Sequence, residues 1–206
     1  MELTKIFLAF LCIGVSYSLG SFPSGFIAGK WLKGIDLRKV GSGSTGATNV
    51  LRHVGKKAAL IVFLIDVSKG IGSILIAKSL FLSPSFHVIC GIAALSGHIW
   101  PIWLNWKGGK AVATGLGVFL GISWQVGLAS LGIFMAVLSS SKIVSLSSIS
   151  AAISLPILMF LSLQEASFLN AYIIASFAAM IMVLWRHRAN LKRLLNGDEP
   201  RIGKIN

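Results

Sequence analysis

The spacing of charged residues constrains this chain more than any other feature. Lys5 and Lys30 enclose 24 uncharged residues, and Lys78 and Lys107 enclose 28 without Lys, Arg, Asp or Glu. Lys57 to Lys78 encloses 20, broken by Asp66 and Lys69. Lys110 to Lys142 encloses 31, Lys142 to Glu165 encloses 22, and Glu165 to Arg186 encloses 20. A membrane-spanning helix needs about 20 apolar residues. Five gaps therefore predict one helix each, and the 31-residue gap is long for one and short for two.

Composition agrees. Charged residues are 12% of 206 and hydrophobic residues 55%, with a mean hydropathy of +0.82. A soluble domain averages about 25% charged residues. A disordered chain and a soluble globule are both excluded, leaving one all-α polytopic membrane domain over residues 1–206. Cys12 and Cys90 lie inside apolar runs, so they make neither a disulfide framework nor a zinc site. The net charge of +13 does not require nucleic acid in such a protein. Cytoplasmic loops and anionic substrates both account for it.

The basic residues decide the 31-residue gap. The segments Lys30 to Lys57, Lys107 to Lys110, Lys142, and everything after Trp185 hold 7, 2, 1 and 6 Lys+Arg, or 16 of the 19. Such residues collect in cytoplasmic loops. All four segments share one side only if the gap is a hairpin turning near Ser123 to Gly127. That predicts about seven transmembrane helices, with the N-terminus outside and the C-terminus cytoplasmic. Two hairpin helices of about 14 residues would each reach roughly 21 Å, short of the roughly 30 Å hydrocarbon core. The first span resembles a signal peptide in its single Lys and small residues. Its apolar character, however, continues through Phe22, Phe26 and Ile27. No internal repeat marks duplicated transporter halves.

The chemistry concentrates in two polar segments. Gly41-Ser42-Gly43-Ser44-Thr45-Gly46-Ala47-Thr48-Asn49, with Arg52 close behind, suits a phosphate. Glycines admit a backbone nest, hydroxyls and amide donate, and Arg adds a planar cationic fork. The apolar run from Ala58 suggests a helix N-terminus nearby. The G-x-G-x-x-G spacing lacks a preceding strand, so the dinucleotide-binding context is missing. The alternative is a flexible Gly/Ser loop. Lys107-Gly108-Gly109-Lys110 through Gly115 makes a second basic glycine turn on the same side. It lacks Walker A spacing, and its alternative is an interfacial turn against lipid head groups.

Other polar residues are sparser. Asp66 and Lys69, three apart inside a span, each cost about 2.5–3.5 kcal/mol on insertion scales. They read either as a neutralised pair or as a substrate-facing Lys69 oriented by Asp66. His98 closes the third span, and Arg186-His187-Arg188 with Asn190 follows the last. Ser145 and Ser148 open a span after Lys142, where capping is the simpler role. Asp198 and Glu199 stand in what reads as an exposed tail. H-x-x-x-x-D, repeated-Asp, G-x-S-x-G and H-E-x-x-H patterns are absent from the sequence. Many anion donors and few carboxylates suit phosphorylated substrates already activated for reaction. The inventory calls for no cofactor and no metal.

These segments together, in this order, resemble the PlsY family of bacterial acyl-phosphate:glycerol-3-phosphate acyltransferases. The resemblance runs from Tyr17-Ser18-Leu19-Gly20-Ser21-Phe22-Pro23-Ser24-Gly25, through Gly41–Arg52, Asp66 and Lys69-Gly70, to Gly97-His98 and Gly108-Gly109-Lys110. It continues through Val144-Ser145-Leu146 with Ser148, His187-Arg188 with Asn190, Gly197, and Glu199-Pro200. Three positions depart from the family pattern. Ser44 stands where Asn is usual, Ala111 where a glycine is usual, and Lys142 where Arg is common.

The resemblance implies transfer of a fatty acyl group from acyl phosphate to the 1-hydroxyl of glycerol 3-phosphate, giving lysophosphatidic acid and inorganic phosphate. It implies seven helices in the bacterial inner membrane and an active site facing the cytoplasm. On that basis Asn49, Lys110 and His187 are the expected catalytic residues. Arg52 and Lys110 would bind phosphate, and Ser42, Thr48, Asn49 and Ser148 would add hydrogen bonds. Gly43, Gly46, Gly108 and Gly109 would offer backbone N–H groups, and Lys69 would supply supporting charge. His187 and Asn190 would orient the glycerol phosphate. His98, His187 or the substrate phosphate would take the hydroxyl proton. The expected partners are the two substrates and the bilayer, without nucleic acid. The oligomeric state stays open, a monomer being adequate. The competing classes are a secondary transporter of an organic phosphate anion and a non-catalytic scaffold on anionic lipid.

Overall fold

The computed structural model describes residues 2–162 and 166–203. Glu165, which closes one of the counted gaps, lies outside them. Among the described residues the chain is all-helical, and it divides into two compact units, Met1–Ile122 and Ser123–Asn206. Five segments are long and apolar enough to cross a membrane: Leu3–Lys33, Lys56–Ser79, Pro84–Leu104, Trp124–Ser141 and Val144–Ser162. Val112–Ile122 and Asn170–Arg186 are shorter apolar helices.

The first unit holds α1 (Glu2–Ser21), α2 (Ser24–Lys33), α3 (Ala47–His53), α4 (Lys56–Ser79), α5 (Pro84–Ile99) and α6 (Val112–Ile122). Single 3₁₀ turns at Leu37–Lys39 and Ile102–Leu104 interrupt its loops. The first apolar gap, expected as one helix, breaks at Phe22-Pro23. Proline has no N–H to continue the ladder, and a helix end leaves carbonyls without partners. Lys69 of α4 answers this, donating to the Phe22 carbonyl at 2.6 Å. Its ammonium also meets Asp66 Oδ1 at 2.5 Å, and Ser24 donates to the same oxygen at 2.7 Å. The buried pair thus fastens the break between α1 and α2. Lys78, near the C-terminal end of α4, donates to the carbonyls of Gly121 at 2.7 Å and Ile122 at 3.2 Å. It closes the C-terminal end of the short α6.

Helix α4 packs on α6 by backbone approach. A Cβ at Gly70 would stand 2.2 Å from the Thr114 carbonyl oxygen, and one at Gly117 2.0 Å from that of Val67. Helix α1 packs on α5, where Cys12 and Cys90 are free, buried and 3.5 Å apart.

The second unit holds α7 (Trp124–Ser141), α8 (Val144–Ser162), α9 (Ala166–Arg186) and α10 (Arg188–Leu195). The 31-residue gap does divide into two helices, within the predicted turn region. Their lengths are 11 and 18 residues rather than about 14 each. Lys142, at φ 61°, ends α7 in the left-handed region. The C-terminal tail returns to this turn, where Ile202 N–H donates to the Lys142 carbonyl at 2.8 Å.

Candidate active site

The first polar loop is a built structure rather than a flexible linker. Asn49 organises it from inside, only 1% exposed. Its Nδ2 donates toward the carbonyls of Leu37 (3.0 Å), Val40 (3.1 Å) and Ser44 (2.9 Å), and its Oδ1 accepts from Ser42 N–H at 3.3 Å. Gly41 and Gly43 take φ values of 57° and 65°, a region that glycine enters without steric cost. A Cβ on Gly41 would also stand 2.3 Å from His53 Cε1. Gly46 precedes α3, so the helix after the loop starts at Ala47 rather than near Ala58. Ser44 serves the turn locally, its Oγ accepting from Gly46 N–H at 3.3 Å. Ser42 and Arg52 are exposed, and Thr48 is half-buried.

The second loop is anchored on α5. Gly108 N–H donates to Ile99 O at 3.1 Å and Gly109 N–H to His98 O at 3.0 Å. A Cβ on Gly109 would meet His98 Nε2 at 2.0 Å. His98 is buried against the loop, with Nδ1 at 3.8 Å from Asp66 Oδ1. Lys110 is half-buried beyond the glycines.

This geometry corrects one sequence expectation. The N–H groups of Gly43, Gly46, Gly108 and Gly109 were to face a phosphate. All four instead donate within the protein, Gly43 to the Val40 carbonyl at 3.1 Å, Gly46 to Ser44 Oγ, and Gly108 and Gly109 to the last residues of α5. The glycines at 41, 108 and 109 serve close approach, a requirement that depends on neighbours distant in sequence.

Ala111 takes a φ of 57°, a left-handed conformation that glycine enters without steric cost. A left-handed alanine costs about 1–2 kcal/mol, and glycine removes that at an entropic cost of roughly 0.5–1 kcal/mol. Ala111→Gly is therefore expected to stabilise by up to about 1 kcal/mol, raising the melting midpoint by roughly 2–4 °C at this size. A lowered midpoint in a detergent melt would contradict this account.

The second unit gathers the remaining candidates. His187 is buried, and its Nδ1 lies 2.8 Å from the Val183 carbonyl. A carbonyl only accepts, so Nδ1 carries a proton in this contact. Asn190, one turn on, donates to Glu199 Oε1 at 2.6 Å. Ser145 donates to the same oxygen at 2.7 Å, and Arg193 Nε donates to Oε2 at 2.7 Å. Ser148, one turn after Ser145, donates to the Val144 carbonyl at 2.9 Å.

Glu199 is thus not in an exposed tail, because folding brings three donors around it and leaves it 8% exposed. Burial alone would raise its pKa, but the hydrogen bonds from Asn190, Ser145 and Arg193 outweigh it and hold the carboxyl below its ordinary value. Sequence reasoning missed Glu199 as a member of this cluster. A carboxylate four residues after the Leu195 helix end carries no local signal of its partners.

The helices and the two basic glycine-rich loops define a class, an integral membrane protein equipped for phosphorylated substrates. Comparison with known proteins narrows it. Residues 10–197 match the family model described as glycerol-3-phosphate acyltransferase. A glycerol-3-phosphate acyltransferase of Prochlorococcus marinus is 66% identical over 206 residues, covering all of both chains. One from a Synechococcus strain is 62% identical over 194 residues, covering 94% of this chain and 95% of its own. The chain belongs to the glycerol-3-phosphate acyltransferase family, PlsY. The crystal structure of the integral membrane protein PlsY in its glycerol 3-phosphate form matches with a TM-score of 0.85 and 39% identity, covering 95% of this chain and 96% of that one. The lysophosphatidic acid form matches at 0.84 and 36%, covering 95% of each chain.

Proposed function

We propose that this protein catalyses the first acylation of phospholipid synthesis, moving a fatty acyl group from acyl phosphate to the 1-hydroxyl of glycerol 3-phosphate. One bond forms, between the hydroxyl oxygen and the acyl carbonyl carbon. One breaks, between that carbon and the bridging phosphate oxygen. The hydroxyl proton ends on the released phosphate, directly or through a histidine, and the other product is lysophosphatidic acid. Acyl phosphate is a mixed anhydride with a good leaving group, so positioning and charge stabilisation suffice. The observation that carries the reading is the pair of basic glycine-rich loops within one unit of a family member. The glycerol 3-phosphate and lysophosphatidic acid forms of the neighbouring structure support the acceptor and product.

In this proposal Arg52 and Lys110 hold phosphate, and Ser42 and Thr48 donate to it. Asn49 acts by shaping the first loop. Gly43, Gly46, Gly108 and Gly109 set the loop paths, with His98 behind the second. Lys69 contributes charge while fastening the helix break. His187 and Asn190 orient the glycerol phosphate, and Ser148 adds a hydrogen bond. The five long spans and two shorter apolar helices support seven crossings. Family membership supports a bacterial inner membrane placement, and the Lys+Arg distribution supports an N-terminus outside and an active site facing the cytoplasm.

Phosphate release by the purified protein in lipid tests this, with palmitoyl phosphate and glycerol 3-phosphate beside acyl-CoA or acyl carrier protein. Turnover only with acyl phosphate is expected, and turnover with a thioester would overturn the donor. Arg52 is exposed and has no ion-pair partner among the described residues. A charge-assisted hydrogen bond contributes about 1.5–3 kcal/mol. Arg52→Ala should therefore raise the KM of one phosphorylated substrate roughly 10- to 100-fold at about 1.4 kcal/mol per decade. An unchanged KM for both substrates would remove Arg52 from the phosphate site.

A further inference from the structure

We propose that Arg38 is a positioning residue for acyl transfer, setting the separation of the two glycine-rich loops by gripping both. Its guanidinium is used on three sides. Nε and Nη2 donate to Asp36 Oδ1 and Oδ2 at 3.0 and 2.8 Å, a two-point fork. Nη1 crosses to the second loop and donates to the Leu104 carbonyl at 3.0 Å. One face lies over the Phe26 ring, 4.9 Å from its centre.

Each grip leads directly into a loop. On the first side, Asp36 caps the Leu37–Lys39 turn. The carbonyls of Leu37 and Val40, around that turn, are two of the acceptors that hold Asn49. On the second side, the Leu104 carbonyl also accepts from Lys107 N–H at 3.2 Å. Asn105 and Trp106 follow Leu104 at φ 51° and 64°. Non-glycine residues stay in that region only where the surroundings over-determine them. Arg38 fastens this turn immediately before Gly108, Gly109 and Lys110. A continuous path runs from Lys107 through Leu104, Arg38 and Asp36 to Asn49 and Ser42.

The residue type fits the task. A planar fork satisfies Asp36 and Leu104 together, whereas a lysine is a single point of charge. The hydrogen bond from Arg38 holds the Asp36 carboxyl down at about 2, and Asp36 raises the Arg38 pKa in turn. The bridge is fully ionised at any pH used for assay. Arg38 retains 23% exposure, so its contribution is geometric rather than core filling.

The inference rests on the acyl-phosphate reading above, in which the two loops handle phosphorylated substrates. A misplacement of about 1 Å costs on the order of 100-fold in rate. Loosening the bridge should therefore reduce kcat while each loop keeps its own affinity. The test measures kcat, both KM values and thermal melting for wild type, Arg38→Ala and Arg38→Lys in lipid, with palmitoyl phosphate and glycerol 3-phosphate. Arg38→Ala is expected to lose roughly 10- to 100-fold in kcat, with each KM within about threefold and a melting midpoint near wild type. Arg38→Lys should recover only part, and added methylguanidinium should raise the rate of Arg38→Ala but not of wild type. Unchanged kcat in Arg38→Ala, or a loss matching its unfolded fraction, would overturn the proposal. A wild-type protein that released no phosphate would instead overturn the acyl-phosphate reading, and the proposal with it.

Discussion

Asn49→Leu is expected to abolish measurable turnover and to destabilise the first unit together. The leucine keeps the volume but removes the donors to Leu37, Val40 and Ser44 and the acceptor for Ser42. Each buried polar group left without a partner costs about 1–3 kcal/mol. Even if water recovers some of them, the loss is about 3 kcal/mol or more by the same measure. A loop that cannot hold Ser42 and Arg52 in place should lose at least 100-fold in kcat/KM, since misplacement by about 1 Å has that effect. Steady-state kinetics with a thermal melt separates two roles for the residue. An inward pin predicts that stability and activity fall together. Loss of kcat at an unchanged melting midpoint would make Asn49 a substrate contact instead.

The second large effect is expected at Gly117. A Cβ there would lie 2.0 Å from the Val67 carbonyl oxygen, 2.9 Å from its carbon and 3.1 Å from Gly70 Cα. Backbone cannot move aside as a side-chain tip can, so α4 and α6 must part. Overpacking typically costs about 1–3 kcal/mol when neighbours can shift, and two helix backbones in contact put Gly117→Leu beyond that range. Such a variant should give little folded protein. Gly117→Ala should fold with a midpoint lowered by roughly 5 °C or more, given about 2–4 °C per kcal/mol at this size. Gly132→Ala on α7, where no neighbouring atom lies within 4 Å, is the matched control and should melt at or slightly above wild type, since glycine inside a helix costs about 0.5–1 kcal/mol. Equal melting of the two alanine variants would show that α4 and α6 do not depend on this approach.

Much of the architecture was legible because it follows from hydrocarbon thickness and charge. The long apolar gaps predicted spans, and the need to keep basic segments together predicted a break in the 31-residue gap near Ser123. Helices α6 and α7 meet that break at Ile122 and Trp124. The unequal lengths were not legible, because α6 ends where Lys78 can reach its carbonyls. The polar loops were recognisable from residue types that suit phosphate. Their internal wiring was not, because Gly108 and Asn49 each serve acceptors chosen by the fold.

Charge, hydropathy and local residue chemistry were enough to determine an all-helical membrane chain, its polar loops and the kind of substrate they suit. These properties are carried by neighbours in sequence. Only the tertiary structure decided what the intramembrane lysines do, which glycines are needed for close approach, and that Glu199 sits among Ser145, Asn190 and Arg193. The physical reason is the same in each case. A helix end, a close backbone contact and a buried carboxylate all need partners from elsewhere in the chain. Which partners arrive depends on how the helices pack.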